Sequence, residues 1–278
     1  RAVVVTGAST GIGEAVALRF DRRGWQVFAG VRREADAERL TRQSGGRLRT
    51  VMLDVTDEQM VGAAADTIRS AVGPGGLAGV VNNAGVALGG PVEFLPLDEW
   101  RRQLEVNVIG QIAVTKAVLP MIRQGRGRIV FIGSISGRVA APMMGPYSAS
   151  KFALAAIAET LRHELRPWGI RVVLIEPGAI KTAIWDKGRR SLTAAHELLP
   201  AEALEVYRGH LEELERVVEH QDRAGIPAET VASVVERALL ARRPRARYLV
   251  GPDARAGGVM SRVLPDSLKD EVLRRLSP

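Results

Sequence analysis

The chain alternates two kinds of segment along most of its length, and that alternation leaves few folds open to it. Short, nearly continuous apolar runs read as strands: "AVVVT" (2–6), "QVFAGV" (26–31), "LRTVMLD" (48–54), "AGVVNN" (78–83), "RIVFIG" (128–133), "IRVVLIE" (170–176) and "RYLVG" (247–251). Runs that are β-branched and apolar at successive positions belong in a parallel sheet covered on both faces. Between them lie helical patterns such as "GEAVALRFDRRG" (13–24), "DEQMVGAAADTIRSAV" (57–72), "LDEWRRQLEVNVIGQIAVTKAVLPMIRQG" (97–125) and "YSASKFALAAIAETLRHELRPWG" (147–169), the last closed by Pro167 and Gly169. Strand then helix, repeated, predicts an α/β fold with a doubly wound sheet. The 278 residues are 46% hydrophobic, enough for one domain with a sizeable core.

The pattern breaks between about 183 and 225, where "AAHELLPAEALEVYRGHLEELERVVEH" is helical but follows the sixth strand as an excursion. Two readings stand for it: a packed helix pair, and a lid, since it begins beyond a strand's carboxyl end, where such sheets bind ligands. The chain has no cysteine, which removes disulfides, thiolate nucleophiles and cysteine-held metals and fits a cytoplasmic setting. No apolar run approaches the roughly 18 residues of a membrane span. A strand starting at residue 2 implies that residues precede it. The net charge of +8 rests on arginines scattered beside acids, which argues against a nucleic-acid surface. Only "ARRPRARY" (241–248) is dense, and it reads as a helix C-terminus, where cations are favoured. His163, His196, His210 and His220 have no metal-ligand spacing, so no metal is expected.

The turn after the first strand, "TGASTGIG" (6–13), carries Gly7, Gly11 and Gly13. Glycines there permit close backbone approach, and the helix that follows offers free N–H groups to a pyrophosphate. At the end of the second strand a carboxylate would hold a ribose 2′-hydroxyl. Here Val31 is followed by Arg32 and Arg33, whose forked donors suit a 2′-phosphate. The competing reading is a surface arginine pair with Asp36 reaching back. Tyr147 and Lys151 lie one helical turn apart, so both side chains leave the same face.

Taken in order, "TGASTGIG" (6–13), "LDV" (53–55), "NNAG" (82–85), Asn107, Ser134, "YSASK" (147–151) and "PGAIKT" (177–182) resemble the short-chain dehydrogenases/reductases over nearly the full chain. "QVFAGVRREADAERL" and "RLRTVMLDVTD" further resemble the retinol and hydroxysteroid dehydrogenase branch. The resemblance implies a single Rossmann-like domain over 1–278, with a seven-stranded, mostly parallel sheet in the order 3-2-1-4-5-6-7, helices on both faces and a helical lid after strand 6. It implies Asn107, Ser134, Tyr147 and Lys151 as the catalytic set. It implies a cofactor site of Gly7, Ser9, Thr10, Gly11, Ile12, Gly13, Arg32, Arg33, Asp54, Val55, Asn83, Ala84, Gly85, Tyr147, Lys151, Pro177, Gly178, Ile180 and Thr182. Asn82 is placed with Ala84 and Gly85 along the adenosine ribose. NADP(H) is expected in preference to NAD(H), because Val31 leaves the selecting position without an acid. Helices 97–125 and 147–166 would pair copies into a homodimer or homotetramer.

In such a site the nicotinamide supplies a hydride and the phenol a proton. A free phenol has a pKa near 10, and a neighbouring ammonium would lower it toward working pH. Ser134 would stabilise charge on the substrate oxygen. Asn107 would hold a water that links Lys151 to solvent. The expected activity is interconversion of an alcohol and its ketone or aldehyde, on an apolar substrate such as a steroid, retinoid or lipid. The alternatives are a nucleotide-sugar epimerase or dehydratase, and a non-catalytic cofactor sensor. Met143 and Met144 are expected either in the substrate pocket or in the core.

Overall fold

The computed structural model describes residues 1–181 and 199–276. Strands β1 (Ala2–Val5), β2 (Gln26–Val31), β3 (Leu48–Met52), β4 (Gly79–Asn82), β5 (Arg128–Ile132), β6 (Arg171–Pro177) and β7 (Arg247–Val250) form one parallel sheet in the order β3-β2-β1-β4-β5-β6-β7. That is the order the sequence predicts. The helices are α1 (Gly11–Arg22), α2 (Glu34–Gln43), α3 (Glu58–Val72), α4 (Leu97–Leu104), α5 (Gly110–Gln124), α6 (Gly145–Glu164), α7 (Ala201–Val206), α8 (Arg208–Ala224), α9 (Ala228–Leu240), α10 (Pro252–Val263) and α11 (Asp266–Leu276).

The strand runs are apolar at successive positions because each feeds two cores. Val3 and Val5 enter one core with Val16 and Phe20 of α1 and Val231 and Val235 of α9. Ala2 and Val4 enter the other with Ile68 of α3, Val118 of α5 and Leu154 of α6. Sheet polarity then carries the end of every strand to one edge, and the loops there build the site.

Two departures from the sequence reading matter for that edge. The helical stretch 97–125 is not one regular helix: a π-turn, Glu105–Ile109, separates α4 from α5. The stretch Leu97–Gln124 also meets the length and apolarity of a membrane span, with a hydropathy of 1.2, against the expectation. Half of that window is buried in this fold, where Val114, Val118 and Ile122 belong to the core beneath the sheet.

The excursion after β6 is helical over α7 and α8; the part of the prediction at 183–198 lies outside the described residues. A two-residue parallel pairing of Ile180–Lys181 with Ile226–Pro227 ties its two ends together. Leu199, Ala203, Leu211 and Leu214 form a small cluster of their own against Met143. Tyr207 donates to Glu93 at 2.9 Å and sets its ring edge-on to Phe94 at 6.0 Å. α7 and α8 thus form a packed helix pair that rests on Glu93 and Phe94 and on Met143, just before α6.

Phe131 of β5 is fully buried in the α6-side core, on the strand that leads to Ser134. Phe131→Ala is expected to cost about 3–5 kcal/mol, read as a lower denaturant midpoint at unchanged slope.

Candidate active site

Two turns are locked together at the centre of the strand edge. The Thr6 hydroxyl accepts from the backbone N–H groups of Asn83 and Ala84 at 2.9 and 3.0 Å. The Asn83 amide donates back to the carbonyls of Thr6 and Gly7 at 3.0 and 3.1 Å. This closeness dictates the glycines. Gly7 has φ +62, and a Cβ on Gly13 would fall 2.3 Å from the Gly7 carbonyl and 2.5 Å from the Asn83 amide. Thr10, at the start of α1, makes no side-chain cap bond, so the first N–H groups of that helix are left for a ligand.

Above these turns lies an open cleft of about 1170 Å³. Of the expected cofactor residues, Gly7, Ser9, Thr10, Gly11, Ile12, Arg32, Asp54, Val55, Asn83, Ala84, Gly85, Tyr147, Lys151, Pro177, Gly178 and Ile180 line it. Gly13 packs beneath it instead. Arg33 turns to Asp36, with Nε to Oδ2 at 2.8 Å, as the competing reading had it. Asn82, placed at the ribose by the resemblance, faces away: it is fully buried and donates to Thr115 Oγ1 at 2.8 Å. Thr182 lies outside the described residues. Leu53, Val86, Val106 and Ile132 also line the cleft; as apolar residues at strand ends and loops they carry no sequence signal.

The second wall is held by a row of amides that sequence reasoning missed in part. Gln103, Asn107 and Gln111 are all buried to 1% exposure or less. Positions four apart drift about 40° around a regular α-helix. The wider π-turn between them offsets this drift and keeps the row on one face. Gln111 donates to the Ala84 carbonyl at 2.8 Å. Asn107 accepts from Val86 N at 2.9 Å and donates to the Val86 carbonyl and to Ser150 Oγ, each at 3.0 Å. Gln103 accepts from Leu88 N at 2.9 Å and donates to the Val86 carbonyl at 2.8 Å. The Asn107 side chain is thus committed to the loop after β4 and to α6. The spacing of Gln103 and Gln111 about Asn107 was the available signal.

Ser134, Tyr147 and Lys151 meet at the floor of the cleft. Ser134 Oγ accepts from Ser136 N at 3.1 Å and lies beside the Tyr147 phenol, both lining the cleft. Lys151 Nζ is buried, donates to the Ile132 carbonyl at 2.9 Å and stands 5.6 Å from the centre of the Tyr147 ring. Burial raises the Tyr147 pKa, with the Ser134 hydroxyl opposing it. Burial also lowers Lys151 to about 8. Here the structure departs from the sequence expectation, because desolvation of the phenol outweighs any help from the ammonium. Asp54, at the other end of the cleft, is pushed up by burial, but bonds from Thr56 and the charge of Arg32 outweigh this and leave it below the usual carboxylate range.

A second cavity of about 1330 Å³ opens from the same floor, sharing Ser134, Tyr147 and Gly178 with the first. Ile135, Pro142, Met143, Met144, Leu214 and Val217 give it apolar walls, while His210, Glu213, Arg216 and Asp253 supply its polar groups. His210 is an exposed residue of α8 that lines the cavity. The methionines sit in this cavity and Met143 joins the small cluster under α7 and α8 as well, so pocket and core are both served.

A glycine-cradled cleft joined to a hydroxyl pair and a buried lysine, on this strand order, agrees with what comparison finds. The short chain dehydrogenase family model matches residues 1–192, and the chain belongs to that family. It falls in the retinol and hydroxysteroid dehydrogenase-like branch. Over 284 residues it is 39% identical to retinol dehydrogenase 5 of Homo sapiens, covering 99% of this chain and 88% of that one. Over 277 residues it is 36% identical to an NADPH-dependent 3-dehydrocapnine reductase of Ornithobacterium rhinotracheale, covering 98% and 95%. A Burkholderia phymatum short chain dehydrogenase/reductase solved with NAD superposes with a TM-score of 0.81 at 27% identity, covering 98% and 95%. Nicotinamide-dependent oxidoreduction between an alcohol and a carbonyl is the chemistry this family membership supports.

The depressed Lys151 pKa makes a stability prediction. A lysine whose folded pKa lies below its unfolded value of about 10.4 carries a charging penalty that is full below about pH 8 and fades as pH rises toward that value. Lys151→Met should therefore stabilise the fold by about 2–3 kcal/mol near pH 7, with a smaller gain near pH 9.5. Thermal melts of both proteins at the two pH values read the difference.

Proposed function

We propose that the protein is an NADP(H)-dependent oxidoreductase that interconverts a large apolar alcohol and its ketone or aldehyde, with Tyr147 as the acid/base. The observation that carries this reading is the shared floor: Ser134 and Tyr147 line both the glycine-cradled cleft and the apolar cavity. A cofactor in one and a substrate in the other would meet at those hydroxyls. The nicotinamide, when bound, supplies or accepts the hydride.

The chain's own groups handle the proton. Burial keeps Tyr147 protonated at rest, which suits donation to a carbonyl oxygen. Ser136 N occupies a lone pair of Ser134 Oγ, leaving the Ser134 proton to turn to the substrate oxygen as charge develops there. Lys151, titrating near 8, can return a proton to the phenol near neutral pH. The apolar walls of the second cavity favour a steroid-, retinoid- or lipid-like body.

Arg32 supports NADP(H): it lines the cleft with its side chain 63% exposed and, among the described residues, only a long 3.7 Å pair to Asp54, and position 31 carries a buried valine in place of an acid. Arg39 strengthens that wall by donating to the Ser9 carbonyl and pairing with Glu14. A homodimer or homotetramer is supported by the exposed Leu104, Ile109 and Phe152 on the α4–α6 surface, and sedimentation would read it.

Three experiments test the reading. A panel of all-trans-retinol, estradiol and 2-decanol, run with NADP⁺ and NAD⁺ side by side, should show turnover faster with NADP⁺. Tyr147→Phe should lower kcat at least about a thousandfold while the cofactor Kd stays within about threefold; unchanged turnover ends the proposal. Arg32→Ala should weaken NADPH about tenfold and leave NADH within about twofold, by fluorescence titration.

A further inference from the structure

Adjacent residues of β6 grip both ends of the segment that carries Ser134. The Ile175 carbonyl accepts from Gly133 N at 2.7 Å, just before the serine. Glu176 accepts from Arg138 Nε and Nη2, both at 2.8 Å, just after it. Between these two ties lies a single 3₁₀ turn, Ile135–Gly137, with Ser134 at its start and Arg138 at its end. The turn is pressed onto the catalytic helix: a Cβ on Gly137 would fall 2.8 Å from the Lys151 carbonyl. Glu176 itself is fully buried, and Arg247 of β7 forks onto it from the other side at 2.5 and 3.0 Å. Four charge-assisted bonds hold one carboxylate in one orientation.

We propose that Glu176, through Arg138, is a positioning residue for the reaction: it sets the Ser134–Arg138 turn and so places Ser134 Oγ beside Tyr147 at the floor shared by the two pockets. Arg247 fixes the carboxylate, and Arg138 transmits the position. The inference rests on Ser134 and Tyr147 acting as the reading above has them. It differs from a bulk stabilising role because the two arginines are unequal: both bury charge on Glu176, but only Arg138 belongs to the serine's turn.

The tests are Arg138→Met, Arg247→Met and Glu176→Gln, each checked for folding by circular dichroism. Arg138→Met leaves Glu176 its Arg247 partner, so it remains informative if Glu176→Gln does not fold. With the panel alcohol that the parent protein oxidises fastest, Arg138→Met and Glu176→Gln should lower kcat at least about tenfold, with the KM for cofactor within about twofold. Arg247→Met should lower kcat less than Arg138→Met. In a Ser134→Ala background, Arg138→Met should cost little more, since its route of action is gone. A substrate-free readout is the ¹³Cζ signal of labelled tyrosine at neutral pH, assigned to Tyr147 by its loss in Tyr147→Phe. Arg138→Met should move that signal in the direction Ser134→Ala moves it, while the Tyr207 signal stays. A Tyr147 signal and kcat at parent values in Arg138→Met, with turnover lost in Ser134→Ala and Tyr147→Phe, overturns the tether and leaves the catalytic reading standing. Turnover retained in Tyr147→Phe overturns the catalytic reading itself. Equal losses in Arg138→Met and Arg247→Met, additive with Ser134→Ala, reduce Glu176 to a structural ion pair and also overturn the proposal.

Discussion

Everything at the functional edge follows from parallel pairing. A strand hydrogen-bonded to parallel neighbours must be followed by a crossover, so both faces are covered and every strand ends at the same edge. β1, β4, β5 and β6 are contiguous in this sheet, and their following turns supply Gly7, Asn83, Ser134 and Gly178 to one cleft. No single turn makes the site. Thr6 bonded to Asn83 and Ala84, and Gly133 bonded to Ile175, show the ladder handing over to loop contacts where the strands stop.

How much of this was legible depended on whether a residue's environment is set locally. The strands read directly because residues buried on both sheet faces leave near-continuous apolar runs. Gly7 and Gly13 read directly because a tight turn before a helix needs them. Tyr147 and Lys151 read as a pair because helical spacing alone puts them on one face. What failed was set by distant chain. Asn82 and Asn83 are adjacent and chemically identical, yet one faces Thr115 and the other Thr6, a choice made by strand alternation at the last residue of β4. Arg247 reads correctly as the start of a strand, but nothing beside it in the chain marks its pairing with Glu176 of β6. Ion pairs between strands leave no mark in local sequence.

The π-turn shows the same limit more sharply. Periodicity predicts a regular helix over 97–125, in which amides at every fourth position drift by about 40° per step along its buried face. Burying three amides in a row is costly unless each finds partners. Here the loop after β4 offers the Ala84 and Val86 carbonyls and the Val86 and Leu88 N–H groups, all in need of partners themselves. Helix and loop pair most of these groups with each other, though the Gln111 side-chain oxygen stays buried without a partner among the described residues.

The wall of the apolar cavity rests on a similar exchange, with strain in place of unpaired groups. Met143 has φ +63, a left-handed conformation that costs a side-chain-bearing residue roughly 1–2 kcal/mol. Its carbonyl accepts from Gly90 N at 2.7 Å, which joins the segment before α6 to the loop after β4. Its side chain is buried against Leu199, Ala203, Leu211 and Leu214. Burying a methionine fully is worth about 1.5–3 kcal/mol, enough to offset the strain only while α7 and α8 are docked on it. The shape of the cavity beside Tyr147 is therefore coupled to the excursion after β6. A side chain that packs α7 and α8 also fixes the wall, so changes in the apolar face of these helices reach the cavity without touching Ser134 or Tyr147.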